Sequence, residues 1–172
     1  MDKTHLDEIV DYPSLIIKEL EKNNNFVSLL TNSVNADMND KEVELLWDEC
    51  ISDHEYIPKT VQTGRSFCCI DTIVSGISNQ LKTMIITILV GVDEDMMSLK
   101  GTEFKGVRGN RRDNLVREID YSLKCSKGIF GIGNLDLREI KPVIIDSREF
   151  ACKKMIYEVT NFSKSYNIER EG

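Results

Sequence analysis

Two apolar, largely β-branched runs dominate what this chain can become. RSFCCIDTIVS (65–75) and KTMIITILVGV (82–92) flank the short turn GISNQ. They are expected to fold back on each other as an antiparallel hairpin. In the first run Cys68, Ile70, Thr72 and Val74 share one face, and Phe67, Cys69, Asp71 and Ile73 share the other. Both faces carry apolar side chains, so both need a cover, from the chain's own helices or from another subunit.

The sequence before this hairpin reads as helical. In DYPSLIIKELEKN, Leu15, Ile16 and Leu20 fall on one face, Ile17 broadens it, and Pro13 suits a first-turn position. FVSLL is a second short helix, capped by one of the asparagines Asn23, Asn24 and Asn25. A polar connector, TNSVNADMND, leads to KEVELLWDECI, where Val43, Leu46, Trp47 and Cys50 keep helical spacing and Trp47 reads as a packing anchor. SDHEYIPKT reads as a loop.

After the hairpin comes a long connection, from Asp93 to Arg111. The helix RRDNLVREIDYSLKC follows, with Leu115, Val116, Ile119 and Leu123 on its apolar face and Asp113 near its first turn. GIFGIG reads as a helix-to-strand turn. A nucleotide-binding glycine loop needs the opposite order, strand then helix. LDLREIKPVII and FACKKMIYEVTNF form a second hairpin, with Met155, Tyr157 and Val159 on one face and Lys153 joining them. The expected fold is α+β: an antiparallel sheet of about four strands, N-terminal helices, and one helix between two hairpins. It forms a single domain, with residues 1–52 helical, 56–162 the sheet-and-helix core and 163–172 a polar tail.

Little in the sequence carries catalytic chemistry. The five cysteines, Cys50, Cys68, Cys69, Cys125 and Cys152, are odd in number and lack CxxC spacing, so they read as small core residues. His5 and His54 stand far apart with no metal-ligand pattern around them. No catalytic residue, cofactor or metal is expected. The longest apolar run, MIITILV, is far short of a membrane helix of roughly 20 residues. The opening MDKTHLDEIV is too charged for a secretory signal, so a cytoplasmic origin is expected. Asp93, Glu94 and Asp95 form an acidic cluster that reads as a solvated strand end.

One stretch stands out against a formal net charge of -7. LKGTEFKGVRGNRRDN gathers Lys100, Lys105, Arg108, Arg111 and Arg112 around Gly101, Gly106 and Gly109. Glycines allow close approach, and arginines offer forked donors to phosphate or carboxylate. Phe104 is the loop's one aromatic, too little stacking surface for base recognition. The loop reads as a solvated surface, as a docking element for an acidic partner such as Asp93, Glu94 and Asp95 of another copy, or as a weak contact to a phosphate backbone.

The stretches 56–92, GVRGNRRDNLVREIDYSL, GIGNLDLREIKPV and MIYEVTNF together resemble the tail terminator or tail completion proteins of long-tailed bacteriophages. In these neck proteins a hairpin leads through a loop to a helix, and a second hairpin completes the sheet. The likeness covers residues 56–162 and is looser over the N-terminal helices. It implies a virion protein without enzymatic activity, assembled in the host cytoplasm as a ring, commonly a hexamer, on the tail tube protein. The ring would face a head-completion or connector protein, with DNA passing through its lumen. Two neighbouring readings are a head-closure adaptor and a small nucleic-acid-binding accessory protein using the loop from Lys105 to Arg112.

Overall fold

The computed structural model describes residues 7–32, 50–54, 66–77, 82–100, 104, 106–126, 135–145 and 150–160. Helix α1 spans Asp7–Glu21 and α2 spans Asn24–Thr31. Tyr12, Ile16, Ile17 and Leu20 bury one face of α1, the spacing that the apolar pattern predicts. The helix starts earlier than expected, so Pro13 lies inside it rather than in its first turn. There Pro13 removes one backbone hydrogen bond, and the burial of Tyr12 and Ile16 on either side holds the helix through it. The cap of α2 is Asn23, whose Oδ1 accepts from the backbone N–H of Asn25 and of Phe26 at 3.0 and 3.1 Å. Asn32 closes the same helix in the left-handed region, at φ 60°.

The expected α+β architecture is present, with a five-stranded, mostly antiparallel sheet. Its strands are β1 (Ile51–Ser52), β2 (Ser66–Ile77), β3 (Lys82–Asp93), β4 (Leu135–Val143) and β5 (Phe150–Thr160). The order across the sheet is β1-β2-β3-β5-β4. The β2–β3 hairpin pairs Cys68 with Val90 and Ile70 with Ile88, so the two faces divide as the alternation predicts. The fifth strand, β1, falls where the sequence reads as helix end and loop. It runs parallel to β2, Ile51 opposite Cys68, and is too short to show a period.

Helix α3 (Arg111–Cys125) lies between β3 and β4 in the chain. The three described helices cover one face of the sheet. Their core joins Ile16, Leu20, Phe26 and Leu30 to Cys68, Ile70, Ile86, Ile88 and Val90, and to Leu115, Ile119, Met155, Tyr157 and Val159. The opposite face carries a smaller apolar cluster of Phe67, Cys69, Leu89, Phe150 and Cys152. Phe67 and Phe150 meet edge to face, ring centroids 5.4 Å apart.

All five cysteines are free thiols. Cys68, Cys69 and Cys152 are buried and Cys50 is half-buried, as core residues should be, but Cys125 is exposed at the end of α3. Burial pushes the Cys68 thiol well above its ordinary value, which keeps it protonated and inert. None of the described helices is long and apolar enough to cross a membrane. His5, Val43, Leu46, Trp47, Gly101, Lys105, the GIFGIG turn and the polar tail lie outside the described residues.

Candidate functional site

The long connection after β3 is built rather than slack. Asp93 ends the strand buried, and its Oδ1 accepts from the backbone N–H of Asp95 at 2.9 Å, capping a 3-10 turn at Glu94–Met96. Asp93 is thereby withdrawn from the acidic docking patch that the sequence suggests, while Glu94 and Asp95 stay exposed. A bridge between Ser98 and Asn110 then pinches the base of the loop, and the Arg111 N–H donates to Met97 O at 2.9 Å. The neck of the loop is thereby tied.

The glycines have structural uses there. Gly106 (φ 90°) completes a turn closed by Val107 N–H donating to Phe104 O at 3.2 Å. Gly109 (φ 87°) swings the chain into the α3 cap. Asn110 is that cap, accepting from Asp113 N–H at 2.8 Å. Asn114 fixes the approach, its Nδ2 donating to Arg108 O and to Asn110 O, both at 2.8 Å. The start of α3 is already capped and carries an aspartate, so it is poorly suited to an anion.

The four described cations of the group that the sequence gathers have different fates. Arg111 turns inward and is 1% exposed. Its Nε donates to Met96 O at 2.9 Å, and its two terminal nitrogens donate to Leu29 O and Asn32 Oδ1, each at 2.7 Å. The guanidinium carbon also stands 5.2 Å from the centre of the Phe104 ring. Burial lowers its pKa from the ordinary arginine value. Arg111 is thus an internal brace tying loop, α2 and α3 together, not a cation offered to a partner. Arg112 is partly covered and pairs with Asp113 at 3.1 Å, and Lys153 of β5 reaches the same carboxylate at 2.8 Å. Burial pushes the Asp113 pKa up, but the bonds from Lys153, Arg112 and Asn110 outweigh it and hold the carboxyl below its ordinary value. Lys100 and Arg108 face solvent.

The buried role of Arg111 was readable from period. Arg111, Leu115 and Ile119 stand four residues apart and share the buried face of α3 with Asn114, Glu118 and Ser122. The polar members of that stripe find partners. Asn23 Nδ2 donates to Ser122 Oγ at 2.8 Å and to Glu118 Oε2 at 3.3 Å. Beside them, an open polar groove of about 370 Å³ runs between the α1–α2 junction and the end of α3.

Ser52, Asp53 and His54 come together in the turn after β1. Ser52 Oγ lies 3.2 Å and Asp53 Oδ1 2.8 Å from the same ring atom, His54 Nδ1. A nucleophilic triad needs the acid on one ring nitrogen and the hydroxyl on the other. Here both crowd Nδ1, and Ser52 Oγ also donates to His54 O at 3.0 Å, which makes the trio a turn motif. Among the described residues no group of three or more His, Cys, Asp or Glu is placed to hold a metal ion.

No curated protein matches the chain. The family model described as YomW matches residues 23–159, from the cap of α2 to the penultimate residue of β5, and the chain therefore belongs to the YomW family.

Proposed function

We propose that this protein is a structural component of a phage neck, a ring-forming tail terminator that closes the tail tube and offers a surface to the head connector. The observation that carries this reading is the order of parts over most of the chain. The long β2–β3 hairpin leads through a braced loop to α3, and the β4–β5 hairpin completes the sheet. That is the order on which the likeness to terminators rests.

Surface features support it. A closed ring needs two different complementary patches on each subunit. Lys100 and Arg108 on the loop are one candidate, and Glu94 and Asp95 at its base are another of opposite charge. The loop is fixed to the fold by Arg111, so it presents its charges without a large ordering cost. With Arg111 buried and Arg112 paired to Asp113, only Lys100 and Arg108 of the described loop cations are left open to DNA, which favours docking between subunits over a nucleic-acid accessory role of that loop.

Light scattering after size exclusion, with negative-stain images of each peak, tests the reading. It should be done on the full chain alone and with the tail tube protein. A ring with a central opening, near a hexamer in mass and seated at the end of the tube, is the expected result. A protein that stays monomeric and ignores the tube overturns it.

A further inference from the structure

The outer edge of β4 carries a second kind of information. Among the described residues this strand ends the sheet, and most of its side chains are exposed. Long exposed edges invite pairing with another strand, and proteins usually blunt them with charge, proline or a bulge. β4 has all three: charged side chains, Pro142, and a register shift between Leu137 and Glu139. Yet the charges are not arranged as simple repulsion. The stretch Asp136-Leu137-Arg138-Glu139-Ile140-Lys141 is complementary to itself when reversed.

Laid antiparallel on a second copy about a two-fold axis between Arg138 and Glu139, it pairs Arg138 with Glu139, Leu137 with Ile140, and Asp136 with Lys141. The bulge is what makes this pairing possible. In an unbroken strand the residues of each of these pairs would point to opposite faces. Here Leu137 lies opposite Tyr157 and Ile140 opposite Met155, so both share the helix-covered face. Asp136 lies opposite Glu158, Glu139 opposite Ile156 and Lys141 opposite Lys154, so all three share the other face. Arg138 joins them there, its Nε 2.9 Å from Glu158 Oε2. The extra residue at the bulge therefore puts every proposed pair on a common face.

We infer that β4 is a self-recognition edge: two copies of this chain join through antiparallel β4–β4 pairing centred between Arg138 and Glu139. The contact would extend the main core across the axis, since Leu135 and Leu137 already pack against it and Ile140, 43% exposed, lies beside them. Within one chain Arg138 pairs with Glu158 of β5 at 2.9 Å and more loosely with Asp136 at 3.8 Å, and Lys141 pairs with Glu139 at 3.2 Å. These are exposed pairs that exchange partners at little cost. Pro142 lies just outside the six-residue match, where it limits the pairing to one register. So short an interface gives a weak dimer. It uses one patch and leaves the rest of the surface for a ring, so it does not rest on the neck reading.

Sedimentation velocity of the full chain, from micromolar to millimolar, is the test, with thermal melts to confirm folding. The wild type should show a monomer–dimer equilibrium. Arg138→Glu alone and Glu139→Arg alone each set like charges opposite each other twice, and each should weaken the dimer by about tenfold or more. The double variant restores opposite charges and should return the affinity to within a few-fold of wild type. If Arg138→Glu harms folding through its contact with Glu158, Asp136→Lys and Lys141→Asp run the same cycle one pair out. A wild type monomeric throughout, or a dimer that both single reversals leave unchanged, overturns the inference. A hexameric ring unchanged in every variant overturns it too while leaving the neck reading standing. A swap-dependent dimer with no ring does the reverse.

Discussion

Arg111 carries more of the structure than its position in a basic loop suggests. A guanidinium spreads its donors in a planar fork, and here the fork spans three separate acceptors, Leu29 O, Met96 O and Asn32 Oδ1. Removing it takes the donor from Leu29 O, the buried acceptor of the three, and unties the partly buried Met96 O and Asn32 Oδ1. Arg111→Ala should therefore lower stability by on the order of 3 kcal/mol. Arg111→Lys should recover only part of that, because one ammonium cannot reach acceptors spread across the fork. Urea unfolding of the two variants measures the difference, and equal, small losses would mean the bonds to α2 are not what holds the loop. Sequence charge alone groups Arg111 with Lys100, Arg108 and Arg112. Its four-residue spacing from Leu115 is the signal that separates it from them.

Among the elements, β3 is the most constrained. It runs through the middle of the sheet, and both faces of it are packed. On the outer face the Phe67 ring sits against Gly91, and a Cβ there would overlap the ring. Glycine in a strand interior weakens it unless something approaches closely, and here an aromatic ring does. Gly91→Ala should destabilise by about 1–3 kcal/mol. The same substitution in a Phe67→Leu background should cost clearly less, and a double-mutant cycle by thermal unfolding reads that coupling. Strictly additive losses would place the strain elsewhere. The hairpins, the α3 stripe and the asparagine cap of α2 were legible because each has a period or a cap of its own. The strand order was not, since local pattern does not say that β5 inserts between β3 and β4. Nor was the start of α1, because Pro13 fits both the first turn and the interior when packing holds the helix through it.

For the whole molecule the question is what a chain of net charge -7 does with the exposed cations on its loop. Lys100 and Arg108 are exposed, and neither contributes a side chain to the core. Replacing both with Ala should leave stability within about 0.5 kcal/mol. Two phosphate contacts would give DNA binding a salt slope of only about -2 in log units, too shallow for firm non-specific binding at physiological salt. Repeated around a ring, the same two charges facing Glu94 and Asp95 of the next copy would act at every interface. The double variant should therefore lose the ring in light scattering while its already weak DNA affinity changes little. Exposed charge pairs are screened within about 8 Å at physiological ionic strength, so the wild-type ring should also loosen as salt rises. A ring indifferent to both the substitution and the salt would move the contact away from the loop and onto apolar surface. The outer face of the sheet, where Ile73 is 52% exposed, would then be the next place to substitute.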